Sequence, residues 1–273
     1  MTIKKLNYLG GLPRSGSTLI ATLLNQHPEV YASPHSVLLE SVLNLRSTFI
    51  ESESISYGLQ LSQSQETLWS LPQLFYRQIS KPIIVDKQFS WTNPDNYELA
   101  LKLTPNPRFI VSYRPILEVL TSFVSKAVEN PDFYLNKKLD DTDFSLKNYL
   151  PRNDAMAEYL MLAHPLIYQS MIALANAKKH ESSGMIHFIH YDNLVKDPQQ
   201  EMSSIFKFMG IEDIEIKTEN LTDIFRYKDQ VPIGIEDFHH VRCTIKKESP
   251  KPEDYFSEYI LQKYANALSP IGL

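Results

Sequence analysis

Cys243 is the only cysteine in the chain. No intrachain disulfide can form and no cysteine-based zinc cluster can be built, so a reducing compartment and a cytoplasmic location are expected. Glycine is also scarce, with 8 in 273 residues, which excludes collagen-like and glycine-rich disordered classes. Basic charge is not in excess. Lys and Arg number 27 against 32 Asp and Glu, a net charge of -5. No nucleic-acid partner and no anionic membrane surface are expected, although a local basic pocket stays open. Long apolar runs are absent as well. The stretch after Lys4 and Lys5 is interrupted by Asn7, Tyr8 and a glycine pair, too short and too mixed for a signal peptide or a membrane span. The remaining composition, 43% hydrophobic and 22% charged, is that of a globular protein. At this length one domain over residues 1–273 is expected.

Four short apolar runs read as buried strands: Leu6–Leu12, Ile83–Asp86, Arg108–Tyr113 and Met185–Tyr191. Each leads into a loop or a helix start, the rhythm of a parallel sheet with helical crossovers. Helices are expected over Ser17–Asn25, Ser36–Phe49, Ile116–Val128, Asp154–Ala177 and Pro198–Met209. Pro115 suits a first helical position, Asn153 or Asp154 a cap, and Gly210 a helix stop. Asn130–Arg152 and Gln230–Pro252, rich in Pro and charge, read as loops. The fold class expected is α/β, a three-layer sandwich with a central parallel sheet.

Three of the eight glycines, Gly10, Gly11 and Gly16, fall within seven residues at the end of the first strand. The segment Gly10-Gly11-Leu12-Pro13-Arg14-Ser15-Gly16-Ser17-Thr18 combines a tight turn with a helix start. Backbone N–H groups and the helix dipole then meet an anion there. From Gly11 the spacing matches the nucleoside-triphosphate loop, but Ser17 stands where that loop has Lys, and the cation is Arg14 instead. Without the lysine clamp, a 5′-phosphate suits the loop better than a triphosphate.

Pro13-Arg14-Ser15-Gly16-Ser17-Thr18-Leu19 followed by His27-Pro28-Glu29-Val30 resembles the 5′-phosphosulfate loop of sulfotransferases, which use 3′-phosphoadenosine 5′-phosphosulfate (PAPS) and release PAP. Arg in the loop and the His-Pro pair resemble the tyrosylprotein and carbohydrate branch. Arg114, at a strand end, and Ser122, eight residues later, resemble the family's 3′-phosphate motif. Tyr191-Asp192-Asn193-Leu194, Pro198, Glu201 and Phe208-Met209-Gly210-Ile211 resemble a further family segment. The resemblance runs from about Leu6 to Lys247. It implies a P-loop-like fold and a PAPS-dependent sulfotransferase. The 5′ end would lie on Arg14, Ser15, Gly16, Ser17 and Thr18. The 3′-phosphate would lie on Arg114 and Ser122, near Tyr191, with Lys246 or Lys247 of the basic segment closing over the ligand.

Sulfuryl transfer asks for in-line placement, positive charge at the moving group and leaving phosphate, and removal of the acceptor proton. Arg14 and Lys87 are the electrostatic candidates, Lys87 because it follows the second expected strand, at a place similar to that where the family carries a catalytic Lys. The histidines show no metal-ligand spacing, and no metal is expected. In tyrosylprotein enzymes the base is a Glu a few residues after the His-Pro segment. That position here is His35. Ser33 capping a helix opened by Pro34 would place His35 in a first turn, which favours the neutral imidazole a base needs. Glu40 is the rival base.

The five residues after His35 carry no arginine, which points away from an acidic-peptide tyrosine and toward a small-molecule or carbohydrate hydroxyl. Trp69, Phe75, Tyr76, Phe89 and Trp91 are candidates for lining an apolar or sugar-stacking acceptor pocket. Two other readings stand beside this one: a small-molecule or nucleotide kinase with a degenerate phosphate loop, and a non-catalytic PAP- or PAPS-binding protein.

Overall fold

The computed structural model describes residues 4–52, 61–221, 243–246 and 250–273. Five strands form one sheet: β1 (Lys5–Gly11), β2 (Val30–Ala32), β3 (Ile83–Lys87), β4 (Phe109–Tyr113) and β5 (Ile186–His190). Their order is β2-β3-β1-β4-β5 and every pairing is parallel. The expected α/β sandwich is therefore observed. β1 is central because its side chains are apolar toward both faces. Leu6 and Tyr8 enter one core; Leu9, one residue out of phase, enters the other. Each such buried side chain contributes about 1.5–3 kcal/mol. β2 was not foreseen. With three residues it is too short for a period-two pattern, and its pairing with β3 defines it.

Among the described residues the helices are α1 (Ser17–Leu24), α2 (Leu38–Glu51), α3 (Leu61–Phe75), α4 (Pro94–Leu103), α5 (Ile116–Glu129), α6 (Tyr134–Asp141), α7 (Arg152–Leu162), α8 (Pro165–Lys179), α9 (Tyr191–Lys196), α10 (Pro198–Met209) and α11 (Glu258–Tyr264). α1 and α10 cover one face through Ile20, Leu23, Leu24, Met202, Ile205 and Phe206. The larger core on the other face takes residues of α2, α4, α5, α7 and α8.

Three expectations are corrected. The stretch Asp154–Ala177 is not one helix. It divides into α7 and α8 at His164-Pro165, because Pro165 lacks the N–H that a continuing helix needs. His164 caps the second piece, its Nδ1 accepting from the Leu166 N–H at 3.3 Å. Pro151, not Asn153 or Asp154, precedes α7, and Asp154 instead accepts from the Ser257 N–H and hydroxyl. Asn130–Arg152 is not all loop; it contains α6, whose buried Leu135 and Leu139 are four residues apart. Of Gln230–Pro252, residues 230–242 and 247–249, including Lys247, lie outside the described residues.

β1 leads to β2 and β3 on one side, and β4 lies on its other side. The chain thus reverses direction across the sheet at β1. The carboxyl ends of β1, β3 and β4 open at this switch point, where parallel sheets place ligands.

Candidate anion-binding and transfer site

Gly11, at the end of β1, has φ +114°, and a Cβ there would lie 2.0 Å from the Ser112 carbonyl oxygen. β1 and β4 approach too closely at this point for any side chain. The turn that follows is fastened from inside. The Ser15 hydroxyl donates to the Leu12 carbonyl at 2.5 Å and meets the Ser112 hydroxyl at 2.7 Å. Ser15 is fully buried, so its side chain shapes the loop from inside. Arg14 (φ +60°) and Gly16 (φ +89°) are both left-handed. Such a conformation is ordinary for glycine and strained for arginine, and strain of this kind gathers at functional turns. Gly16 is the N-cap of α1, so the first N–H groups of that helix point out of the turn with no partner inside the helix.

The residues singled out in the sequence converge here. Arg14 Nε donates to Ser122 Oγ at 3.0 Å, and Arg114 Nη1 donates to the Arg14 carbonyl at 3.0 Å. The Arg114 guanidinium lies over the Tyr191 ring at 4.5 Å, and that ring also packs against Gly16, where a Cβ would be 2.8 Å from it. Lys87, at the end of β3, reaches across to α1. Its Nζ donates to Thr18 Oγ1 at 2.9 Å and to the Pro34 carbonyl at 2.7 Å. Burial, and then the Arg14 charge, lower its pKa to about 8. Lys246 is exposed, and no contact joins it to the loop among the described residues.

His35 is not in a helix first turn. α2 begins at Leu38, and His35 sits in the preceding segment. Ser33 does not cap this helix either: its hydroxyl accepts from the Lys87 N–H at 2.8 Å. The helix-dipole reason for a neutral His35 therefore fails, and another replaces it. Although solvent reaches the ring, the crowded cleft lowers its pKa, the Lys87 charge adds to this, and Glu40 opposes. Glu40 lies in the first turn of α2 and accepts from Gln88 Nε2 at 2.6 Å.

The sequence reading missed Asp86. Fully buried in β3, it accepts from Ser36 Oγ at 2.5 Å, Trp91 Nε1 at 2.7 Å and the Tyr76 hydroxyl. Ser36 Oγ also accepts from the Leu38 N–H at 3.0 Å, and the Ser36 N–H donates to the Lys87 carbonyl. One buried carboxylate thus fastens the His35 segment to the strand that carries Lys87. An aspartate inside an apolar strand run was the available signal. Glu118 was also missed. It accepts from Arg114 Nη2 at 2.5 Å and Nε at 3.2 Å. Of the aromatic residues considered for an acceptor pocket, Trp91 and Tyr76 are core, Trp91 against Tyr8 at 4.3 Å; Trp69 and Phe75 are exposed on α3. Phe89 approaches His35, with ring centroids 6.4 Å apart.

Among the described residues no group of three or more His, Cys, Asp or Glu is placed to hold a metal ion. Nor is any helix among them long and apolar enough to cross a membrane.

Comparison with known proteins bears on this geometry. The chain is 24% identical over 213 residues to the protein-tyrosine sulfotransferase of Drosophila melanogaster, covering 76% of this chain and 38% of that one. It is 24% identical over 273 residues to protein-tyrosine sulfotransferase A of Caenorhabditis elegans, covering 92% and 63%. It thus spans less than two thirds of the length of these relatives. In three dimensions it resembles the sulfotransferase domain of the curacin biosynthetic pathway (TM-score 0.60, 19% identity, 98% of each chain). It also resembles a mouse sulfotransferase, SULT7A1, solved with PAP (TM-score 0.51, 15% identity, 98% and 83%).

The curated relatives correct one expectation. A small-molecule or carbohydrate acceptor, with peptide tyrosine less expected, disagrees with matches that are protein-tyrosine sulfotransferases. That expectation rested on arginines missing from the five residues after His35 and on the single cysteine. An acceptor surface is assembled from several segments, so one segment does not define it. The model of the Sulfotransferase family matches residues 8–215, which hold the glycine loop, Lys87, Arg114, Ser122 and Tyr191, and the chain belongs to that family.

Proposed function

We propose that the protein, acting as one domain over residues 1–273, is a PAPS-dependent sulfotransferase whose acceptor is a tyrosine hydroxyl on a protein. The observation that carries the donor half is the meeting of Arg14, Ser122, Arg114 and Tyr191 around the Gly11–Thr18 turn, with Lys87 on Thr18. These residues fit PAPS. The N-terminus of α1, with Arg14 and Lys87, presents N–H groups and two cations to a phosphosulfate. Arg114 and Ser122 present a planar fork and a neutral hydroxyl to a second phosphate. The acceptor half is supported by the protein-tyrosine sulfotransferase relatives.

When bound, PAPS supplies the sulfuryl group. Lys87 and Arg14 hold positive charge at the end of β3 and in the loop, where negative charge grows on the leaving phosphate. Thr18, held by Lys87, fixes the start of α1. His35 Nδ1 or Nε2 accepts the proton of the tyrosine hydroxyl; its lowered pKa keeps it neutral and able to do so. Tyrosine, with a pKa near 10, gives up that proton more readily than an alcohol. The lone cysteine leaves the reducing, cytoplasmic reading as part of this proposal.

The test is a thermal-shift screen with PAP, PAPS, ATP and GTP, followed by sulfate transfer to tyrosine peptides of acidic, neutral and basic flank. A ligand at 100 times its Kd stabilises by ~2.7 kcal/mol. PAP and PAPS are expected to stabilise and the nucleoside triphosphates not to. Stabilisation by ATP alone favours a kinase, and PAP binding without transfer favours a binding protein.

A further inference from the structure

Arg114 and Ser122 are the two side chains the donor's 3′-phosphate must meet, and they are eight residues apart. Glu118 lies midway, four residues from each, in the first turn of α5, where helical spacing puts it on the same face as Ser122. It does not point elsewhere. Its Oε2 accepts from both Nη2 (2.5 Å) and Nε (3.2 Å) of Arg114, so one edge of the guanidinium is already taken by an anion. The pair is secluded, with side-chain exposures of 5% for Arg114 and 18% for Glu118. Nη1 of the same guanidinium is held by the Arg14 carbonyl at 3.0 Å, and Ser122 Oγ accepts from Arg14 Nε at 3.0 Å. A phosphate bridging Arg114 and Ser122 must therefore share Arg114 with a carboxylate of its own charge sign.

We infer that Glu118 is a specificity-determining residue for the donor, competing with the 3′-phosphate for Arg114. It rests on the PAPS reading above and adds a weakening element to it. Two like charges on one secluded guanidinium disfavour each other, so donor binding requires Glu118 to release Arg114 or to share it. The consequence is selective. Binding of a nucleotide that has only a 5′-phosphate does not engage Arg114 in this way and should not feel Glu118. The device lowers the affinity of PAP as well as PAPS, which favours departure of the product.

The test is calorimetric titration of PAP and of 5′-AMP into the wild-type chain, Glu118→Gln and Arg114→Ala. Glu118→Gln keeps the shape and removes the charge. It is expected to tighten PAP by about tenfold or more while leaving 5′-AMP unchanged. Arg114→Ala is expected to weaken PAP and spare 5′-AMP. Equal PAP affinity in wild type and Glu118→Gln, weaker PAP binding in Glu118→Gln, or equal tightening of both ligands overturns the inference and leaves the PAPS reading standing. Weaker PAP binding would mean that Glu118 orients Arg114. Absence of PAP binding in every folded form removes the PAPS reading and the inference with it. Should Glu118→Gln fail to fold, Glu118→Asp, one methylene shorter, withdraws the carboxylate from Arg114. Tighter PAP with unchanged 5′-AMP is expected again, and no change or a loss overturns the inference.

Discussion

The two halves of the proposed site, donor-facing and acceptor-facing, are built differently. On the donor side, backbone geometry does most of the shaping: Gly11 at φ +114°, Arg14 and Gly16 left-handed, and a buried Ser15 tying the turn to β4. The cations there are interlocked, Arg114 to the Arg14 carbonyl and Arg14 to Ser122. On the acceptor side, His35 lies in a short segment with no helix of its own. That segment is held through Ser36, the Lys87 backbone and the buried Asp86. A phosphate demands convergent N–H groups at fixed spacing, which only a special backbone supplies. A proton acceptor demands one side chain at one place, which many backbones supply. The first requirement leaves a motif, and the second leaves almost none.

The sharpest way to break the donor side is Gly11→Ala. A Cβ 2.0 Å from the Ser112 oxygen, at a φ that L residues avoid, should destabilise the fold by roughly 4 kcal/mol or more, read by thermal or denaturant unfolding. Gly210→Ala serves as control. It shares the positive φ but has open space around it, so its loss should be much smaller.

On the acceptor side, His35→Ala should lower turnover by ~10²–10⁴-fold while leaving PAP affinity nearly intact. Glu40→Ala should have a much smaller effect. The reverse order, from steady-state rates with a tyrosine peptide, would move the base to Glu40.

The pH profile joins the two halves. His35 must be neutral, and its pKa is lowered from 6.5, so kcat/KM should rise through a group below 6.5. Lys87 must be charged, so the rate should fall as pH rises through about 8. Lys87→Arg, which does not titrate there, should remove the upper limb. Stability follows the opposite sense at Lys87. The unfolded lysine keeps its proton up to about 10.5 and the folded one loses it near 8. Between these values the unfolded state binds more protons, and stability should rise with pH, as urea midpoints would report.

The smallest effect is expected for Tyr76→Phe. It removes one of the three donors to the buried Asp86 and should cost ~1–3 kcal/mol. Turnover should fall modestly as the His35 segment loosens, with PAP affinity unchanged. A matching loss of PAP affinity would show that the two halves are not separable.

Apolar runs and the glycine cluster determined four of the five strands, the α1 turn and the candidacy of Arg14, while Lys87, Arg114, Ser122 and Tyr191 were singled out by resemblance to the family's motifs. These are local: a strand core must be apolar, a left-handed turn selects glycine, and a helix start offers free N–H groups wherever it occurs. Other features belong to the tertiary structure alone. β2 exists only as a partner of β3. His35 owes its lowered pKa first to partial burial and then to the Lys87 charge, not to a helix start. Asp86 gathers Ser36, Tyr76 and Trp91 from residues up to 50 positions away. Glu118 occupies one edge of the Arg114 guanidinium. Contacts of this kind depend on which segments the packed sheet brings together, and that is set by burial summed over the whole chain rather than by any local pattern.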